Sequence, residues 1–334
     1  MLTILLVLLG GIMAPLSAQT CQEKLIQASN AYDNGDMPLT IKLATDCTVQ
    51  GDESERVNAW RLLAMAYLVT SEREKALNAA EQMLKINPKY QPDLLNEPKD
   101  FTQLLQEIKV IPAFSLGGGF LFGNNGTNPE AIRFYAPSEY TKTYSNKAGI
   151  HFGVSMGYNF NSRHGVSLGI LSKTWKYNVA YQVFGNDVSL DETIRTIDLP
   201  LMYQYSLLNK NRFSMNVSAG GYGNLLMNSF NDLHLKNNEG GSEIKHYSST
   251  VRRNKLNAGI CGSLGGRLQT QNKRGQWRFD VAYFKGLTNI TKTASRYDNQ
   301  TLIYDFFYLD DDLRLNNLGV SISYQFNIKY TVKR

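Results

Sequence analysis

The stretch that decides the fold is 148–161, AGIHFGVSMGYNFN, in which large apolar residues alternate with small or polar ones. Ile150 and Val154 fall on one side of an extended chain, whereas His151 and Gly153 fall on the other, because successive side chains of a β-strand point to opposite faces. A soluble barrel would turn its large apolar face inward. Here the second face is small or polar, so the pattern predicts lipid outside and a polar lumen inside.

The same alternation recurs along the chain and predicts eight strands. They are residues 113–123, 148–161, 165–177, 193–207, 212–224, 256–269, 276–287 and 318–328. The connections between them run alternately long and short, which is typical of closed up-and-down barrels in an outer membrane. The long connections, which we expect to face outward, are 124–147, 178–192, 225–255 and 288–317.

Bulk composition agrees with a protein that crosses a membrane with strands. Such strands need only about ten residues each, so they do not raise the mean hydropathy of the chain. The 19 tyrosines and 15 phenylalanines suit the aromatic girdles at both membrane interfaces. The net charge is +6, but the basic residues are scattered. We therefore expect outer-membrane lipid, and not nucleic acid, as a partner.

Residues 1–18 are predicted to be a cleavable signal peptide. The apolar run 2–13 is too short to span a bilayer, and Ala18 is the small residue that a signal peptidase prefers. Cys21 raises the alternative of a lipidated start, but Gln19 and Thr20 are poor neighbours for a lipidated cysteine. The mature chain is expected to begin at Gln19.

Cys21 and Cys47 bracket one predicted helical hairpin. Antiparallel packing would bring both to the same end of the hairpin, and the periplasm is oxidising, so we predict a disulfide between them. The alternative is a pair of small buried thiols. Together with Cys261, these cysteines lack the Cys and His spacing of a metal site, so neither a metal nor another cofactor is predicted.

Residues 58–90 resemble one tetratricopeptide repeat, a pair of antiparallel helices. The residues at its signature spacings are Trp60, Leu63, Ala64, Tyr67, Ala76 and Pro88. Trp60, Leu63 and Tyr67 share one helical face, and the small Ala76 lets the second helix approach that face closely.

Two flanking segments complete a predicted helical domain over 19–109. Residues 22–48 resemble a degenerate copy with its turn at Gly35, and 98–109 is predicted to be a capping helix, because a repeat cannot bury its apolar face alone. Such domains usually present a concave surface to another protein, so a periplasmic or outer-membrane protein partner is expected. A plain spacer or plug support is the alternative.

Charged residues within the strands fall on the face predicted to line the lumen. They are Asp198, Arg267, Arg278 and Asp280. With eight strands, a barrel interior is just filled by side chains, so these four could form a buried network that closes the bore. Alternatively, some of them lie near the rims in water.

No catalytic residue is predicted. His234 and His246 lie in the third long connection, with Asp232, Ser248 and Ser249 nearby, but the surrounding glycines and charges are typical of a mobile polar loop. His164 lies in a short turn, and the side chain of His151 is expected to face the lumen as one of its polar fillers.

The fourth long connection contains 304–312, YDFFYLDDD, which we interpret as a strand extension above the membrane. An exposed binding edge is the alternative. The acidic run lacks the Gly and Glu spacing of a calcium loop.

Three motifs stand out within residues 113–328: TIDLPL at 196–201 with YQY at 203–205, GLTNI at 286–290, and the glycine-containing closing strand from Leu318. With these motifs the segment resembles the PorT-like outer-membrane barrels of Bacteroidetes. The resemblance implies an outer-membrane barrel of varied role, with some members assisting type IX secretion, and it implies no catalytic residues.

The sequence thus predicts a multi-domain α and β protein. It comprises a signal peptide (1–18), a periplasmic tetratricopeptide-like domain of α-helical hairpins (19–109) and an eight-stranded antiparallel transmembrane β-barrel (113–330). The expected function is an outer-membrane scaffold whose helices recruit a protein partner for secretion or envelope assembly. A small-solute channel is the alternative, and a lipid-modifying enzyme carried on the loops is a third hypothesis.

Overall fold

The computed structural model describes residues 20–93, 95–134, 141–210, 212–237, 241–271 and 273–334. The predicted signal peptide lies outside these residues. The chain divides into two compact units, Met1–Val110 with Val332–Arg334, and Ile111–Thr331. Within the described ranges, no helix is both long and apolar enough to cross a bilayer.

The first unit contains five helices. They are α1 (Cys21–Asp33), α2 (Met37–Gln50), α3 (Glu53–Val69), α4 (Arg73–Ile86) and α5 (Lys99–Glu107). Side chains cap the first three, because Thr20, Asp36 and Asp52 each accept a hydrogen bond from a backbone N–H of the first turn. Gly35, in the turn between α1 and α2, has a φ of +81°, which favours glycine.

The signature residues of the predicted repeat lie on and just after the α3–α4 pair. Leu63, Ala64 and Ala76 are buried, with Trp60 and Tyr67 half-buried against the same core. Pro88 follows the end of α4. These positions form a packed helix pair; the tetratricopeptide identity stays a prediction.

The second unit is a ring of antiparallel strands. They are β1 (Lys109–Ala131), β2 (Thr143–Asn159), β3 (His164–Val183), β4 (Asn186–Lys210), β5 (Phe213–Lys236), β6 (Ser242–Ser248), β7 (Leu256–Gln269), β8 (Gly275–Gly286) and β9 (Asp312–Lys333). The order β4-β3-β2-β1-β9-β8-β7-β5 closes through a β4–β5 pairing. The eight predicted strands are thus confirmed, and β6, which pairs with β5 beside the ring, is one that the alternation did not predict.

The outward face of the ring is apolar. On β2, Ile150, Phe152 and Val154 are each more than half exposed. Towards the end that carries the short turns, this face ends in exposed aromatic side chains. They are Tyr158, Phe160, Tyr203, Phe213, Trp277 and Phe326. An apolar surface of this extent is unfavourable in water, and an apolar band edged with aromatics fits a lipid bilayer.

Two of the predicted long loops are largely strand. β3 and β4 continue through 178–192 and turn at Phe184 and Gly185, and most of 225–255 forms the β5–β6 hairpin. Here the expectation of loops was wrong. The strands continue because their inward side chains, such as Val179 and Leu190, are buried in an apolar core at this end.

Replacing the outward-facing Val281 by Arg should lower the free energy of unfolding by about 2–4 kcal/mol, because a lipid-facing guanidinium near the bilayer midplane is costly. Val281 is half exposed and pairs with Leu264 and Val320 in the middle of the ring. Urea unfolding in phospholipid vesicles measures the change. Tyr297→Arg, at an exposed position after β8, is the control and should change stability by about 0.5 kcal/mol at most. Equal losses in both variants would contradict the lipid-facing assignment.

Candidate functional site in the barrel interior

The interior of the ring changes character along its length. We call the end with the short connections the turn end, and the end with the long connections the loop end. Towards the turn end the buried inward side chains are polar, as Ser167 and Gln204 illustrate, whereas beyond Trp175 on β3 they are mainly apolar.

Near the turn end, three of the four predicted lumen residues come together. Arg267 on β7 lies directly opposite Arg278 on β8, and Arg278 forms an ion pair with Asp280 at an Nη2–Oδ2 distance of 3.2 Å. Arg267 donates a hydrogen bond to Gln204, which in turn donates to Ser167 at 2.8 Å. This turn-end cluster, made of these five residues, is buried.

Asp198 belongs to a second cluster, whose main partner the sequence analysis missed. Its Oδ2 lies 3.0 Å from Nζ of Lys173, and both side chains are fully buried. Thr196 and Asn224 donate hydrogen bonds to Asp198, and the Lys173 ammonium lies 3.2 Å from the centre of the Phe284 ring, a cation–π contact. Lys173 falls within a predicted strand at an inward position, so the alternation itself could have identified it.

A small cavity lies beside the turn-end cluster. It measures about 120 Å³ and is bordered by Arg278 and Asp280 together with serine hydroxyls. These serines are Ser155, Ser167, Ser263, Ser321 and Ser323. At about 30 Å³ per water molecule, it has room for roughly four waters.

At the loop end, the interior is filled by residues 300–311, which we call the plug. The plug begins with α6 (Gln300–Tyr304). Its buried apolar side chains are Leu302, Ile303, Phe306, Tyr308 and Leu309. Leu302, Phe306 and Tyr308 pack among the inward side chains of β3 and β4, and Tyr181 donates a hydrogen bond to the backbone oxygen of Phe306 at 2.7 Å.

For residues 304–312 both sequence-based interpretations, a strand extension above the membrane and an exposed binding edge, were wrong. Phe306, Tyr308, Asp310 and Asp311 have 1% exposure or less. They therefore form neither a strand extension nor an exposed binding edge. The segment turns inward because the long β3–β4 hairpin offers it an apolar wall.

Buried ion pairs join the plug to the ring. Arg253 binds Glu192 through Nε–Oε1 (2.8 Å) and Nη2–Oε2 (2.5 Å), and its Nη2 lies 2.9 Å from Oδ1 of Asp310. Arg252 binds the other oxygen of Asp310 at 2.6 Å. Burial acts to raise the pKa of Glu192, but the Arg253 guanidinium outweighs it and lowers that pKa to about 2. Glu192 therefore stays charged at neutral pH.

A second buried pair holds the end of the plug. Lys142 lies 2.9 Å from Oδ1 of Asp311 and also donates to the backbone oxygens of Arg133 and Leu309. Tyr144 donates a further hydrogen bond to Asp311. Burial lowers the pKa of Lys142 despite the neighbouring Asp311 carboxylate. The charged form of Lys142 therefore depends on the contacts with Asp311 and with the two backbone oxygens.

His246, one of the two histidines in the third long connection, has a carboxylate partner. His246 Nδ1 lies 2.6 Å from Oδ1 of Asp232 on the exposed β5–β6 hairpin. Ser249, however, is buried and donates to Glu192, and Ser248 donates to Thr250. Ser248 and Ser249, which lie near His246 in the sequence, thus hydrogen bond to groups other than this histidine.

The other histidines lie in separate places. His151 is buried inside the ring, 3.2 Å from Asn125. His164 begins β3 and contacts Tyr203, and His234 lies on β5. Among the residues described, His, Cys, Asp and Glu side chains form no group of three that could hold a metal ion.

Cys21 and Cys47 lie next to each other in the helical unit. Sγ of Cys47 is 3.6 Å from the backbone oxygen of Cys21, and both thiols are free in this structure. Burial and the Cys21 thiol raise the pKa of Cys47 to about 12. The disulfide stays a prediction, which this proximity favours. Cys261 lies in the ring, on β7.

Residues 112–292, more than half of the 334-residue chain, match the outer membrane protein beta-barrel domain family. No curated protein matches the chain. Among solved structures, OprG from Pseudomonas aeruginosa is 13% identical, with 64% of this chain and 96% of that chain covered and a TM-score of 0.35. Neisserial surface protein A is 8% identical (66% and 99% covered, TM-score 0.34). The outer membrane protease OmpT from Escherichia coli is 6% identical (66% and 98% covered, TM-score 0.36).

Arg253→Met should destabilise the protein by about 3–5 kcal/mol, because it leaves the Glu192 carboxylate buried without its cation and leaves Asp310 with Arg252 alone. The double variant Glu192→Gln, Arg253→Met should recover part of this loss. Urea unfolding, with proteolysis of the plug as a local readout, measures both effects. Arg195→Met, at an exposed position on the same strand as Glu192, is the matched control. A loss as large in the control would contradict a specific role of the buried pair.

Protein isolated from an oxidising compartment should carry the Cys21–Cys47 disulfide. After denaturation without reductant, maleimide should label Cys261 alone, and it should label all three cysteines after reduction. Mass spectrometry counts the labels, and Cys47→Ser should expose Cys21 to labelling. Three labels on unreduced wild-type protein would exclude the disulfide.

Proposed function

Because this chain belongs to the family of outer membrane protein beta-barrel domains, we propose that it is an outer-membrane anchor that recruits a protein partner through its helical unit. The protein is an outer-membrane β-barrel, and the apolar outer face of the ring accounts for its residence in lipid. In this proposal the ring anchors the protein in the membrane, and the helical unit recruits the partner.

The observation that carries this proposal is the occupied bore. The Arg278–Asp280 and Lys173–Asp198 pairs lie buried inside the ring, and the plug fills its loop end. The cavity beside Arg278, of about 120 Å³, has room for roughly four water molecules. An interior filled in this way favours surfaces, and not a passage, as the working parts of the molecule.

The helical unit supports the second half of the proposal. It has its own buried core, which includes Leu63, Met83 and Phe101, so it is more than a tether. Helix pairs with the signature spacing of Trp60 to Pro88 commonly offer a concave surface to a partner. In the proposal this unit lies in the periplasm.

The finer role is secretion or envelope assembly. It rests on the PorT-like resemblance of 196–205 and 286–290. The partner is then a periplasmic or outer-membrane protein of that pathway.

Mild-detergent affinity purification from outer membranes should retrieve a partner with the full chain but not with a variant lacking 22–109. Mass spectrometry identifies what co-elutes, and heat-dependent mobility of the barrel in gels shows that the shortened variant has folded. Retention of the same partner by the shortened variant would contradict recruitment by the helices.

A planar bilayer tests the competing function of a small-solute channel. The folded full-length protein should give no steady conductance, because charged and apolar side chains fill the bore. Reproducible conductance would favour the channel.

A further inference from the structure

Buried cations outnumber buried anions in the part of the ring between the plug and the turn end. Among the described residues, three cationic side chains, Lys173, Arg267 and Arg278, face two carboxylates, Asp198 and Asp280. Lys173 pairs with Asp198, and Arg278 pairs with Asp280. Arg267 donates its hydrogen bond to a neutral group, the amide oxygen of Gln204, and shares the attraction of the Asp280 carboxylate with Arg278.

The position of Arg267 makes this imbalance costly. It lies directly opposite Arg278 in the β7–β8 register, and like charges in that arrangement repel each other. The two residues are only 9% and 7% exposed, and Nε of each has no hydrogen-bond partner in the protein. A buried guanidinium needs a compensating negative charge.

The adjoining cavity offers hydrogen-bond donors to an anion. Arg278 borders it, and Ser321 and Ser323 lie opposite Asp280 and Arg278 in the β8–β9 register. The Asp280 carboxylate, already paired with Arg278, and apolar side chains form the rest of the lining. Guanidinium N–H and serine O–H groups are hydrogen-bond donors to anions. The volume of about 120 Å³ admits a halide with a few waters but not a bulky organic anion.

We propose that the cavity beside the turn-end cluster binds one small monovalent anion of the halide class, held by Arg278 and the serine hydroxyls that line it. The anion supplies negative charge next to Arg278 and its neighbour Arg267. Binding to the folded state alone stabilises that state in proportion to the logarithm of anion concentration. The ring should therefore be more stable in chloride than in a salt whose anion is too large for the cavity.

Thermal unfolding of the full-length protein in detergent tests this, with sodium chloride replacing sodium gluconate at constant ionic strength. The midpoint of unfolding should rise with the logarithm of chloride concentration once the site is mostly occupied. Arg267→Gln should abolish the rise, because it removes the uncompensated charge. Arg212→Gln, at an exposed position in a short turn, is the matched control and should retain it.

Gln204→Glu is the sharper variant, because it places a carboxylate where Arg267 already donates its hydrogen bond. It should raise the midpoint in gluconate and remove the dependence on chloride. Equal wild-type midpoints in the two salts would overturn the proposal, as would a full chloride response in Gln204→Glu.

Crystals grown in bromide provide an independent readout. An anomalous peak within hydrogen-bonding distance of Arg267 or Arg278 is expected. Occupancy of the cavity by waters alone, with no such peak, would overturn the proposal. Neither test depends on the helical unit or its partner, so the anion site and the anchoring function can fail separately.

Discussion

The structure depends on one constraint, the closure of the sheet through the β4–β5 pairing. In hydrocarbon there is no water to satisfy a free backbone N–H or C=O, and each unpaired group costs several kcal/mol. A ring has no edge strand within the membrane, so every strand has a neighbour on both sides. The other properties of the barrel follow from this closure, because it separates an outer face in contact with lipid from an inner face that must be filled.

Closure with eight strands leaves an interior only about as wide as the side chains that point into it. In such a space a charge has little water to solvate it and must find a partner inside the ring. The fully buried Lys173–Asp198 pair obeys this rule, and Arg267, which donates to a neutral amide, departs from it. That departure distinguishes the turn-end cluster from the other charged groups of the interior.

At the loop end the interior is filled by apolar side chains instead of paired charges. The strands extend past the apolar outer band, and their inner face turns from polar to apolar, so the plug folds back onto it. The Arg253–Asp310 and Lys142–Asp311 pairs then hold the plug in one orientation, since a buried charge tolerates few alternative positions. Both ends of the interior are thus occupied by specific contacts, and this filling is the basis of the proposal that the protein works through its surfaces.

The amino-acid sequence by itself determined the eight strands of the ring, the face of each strand that meets lipid, and the five helices. Strand alternation and helical spacing are local patterns, set by the geometry of a few neighbouring residues. It also determined that Asp198, Arg267, Arg278 and Asp280 would point inward.

Which of these charges meet follows from the packing of the closed ring. Arg267 faces Arg278, and Asp198 faces Lys173, because the register between strands sets the level of each residue in the bore. The segment 304–312 was misjudged for a related reason. Its aromatic and acidic residues look exposed when read alone. They are buried because β3 and β4, far earlier in the chain, supply an apolar wall, and because Lys142, Arg252 and Arg253 supply the counter-charges. Partners so distant in sequence leave no local pattern, so contacts of this kind are decided by the closed ring.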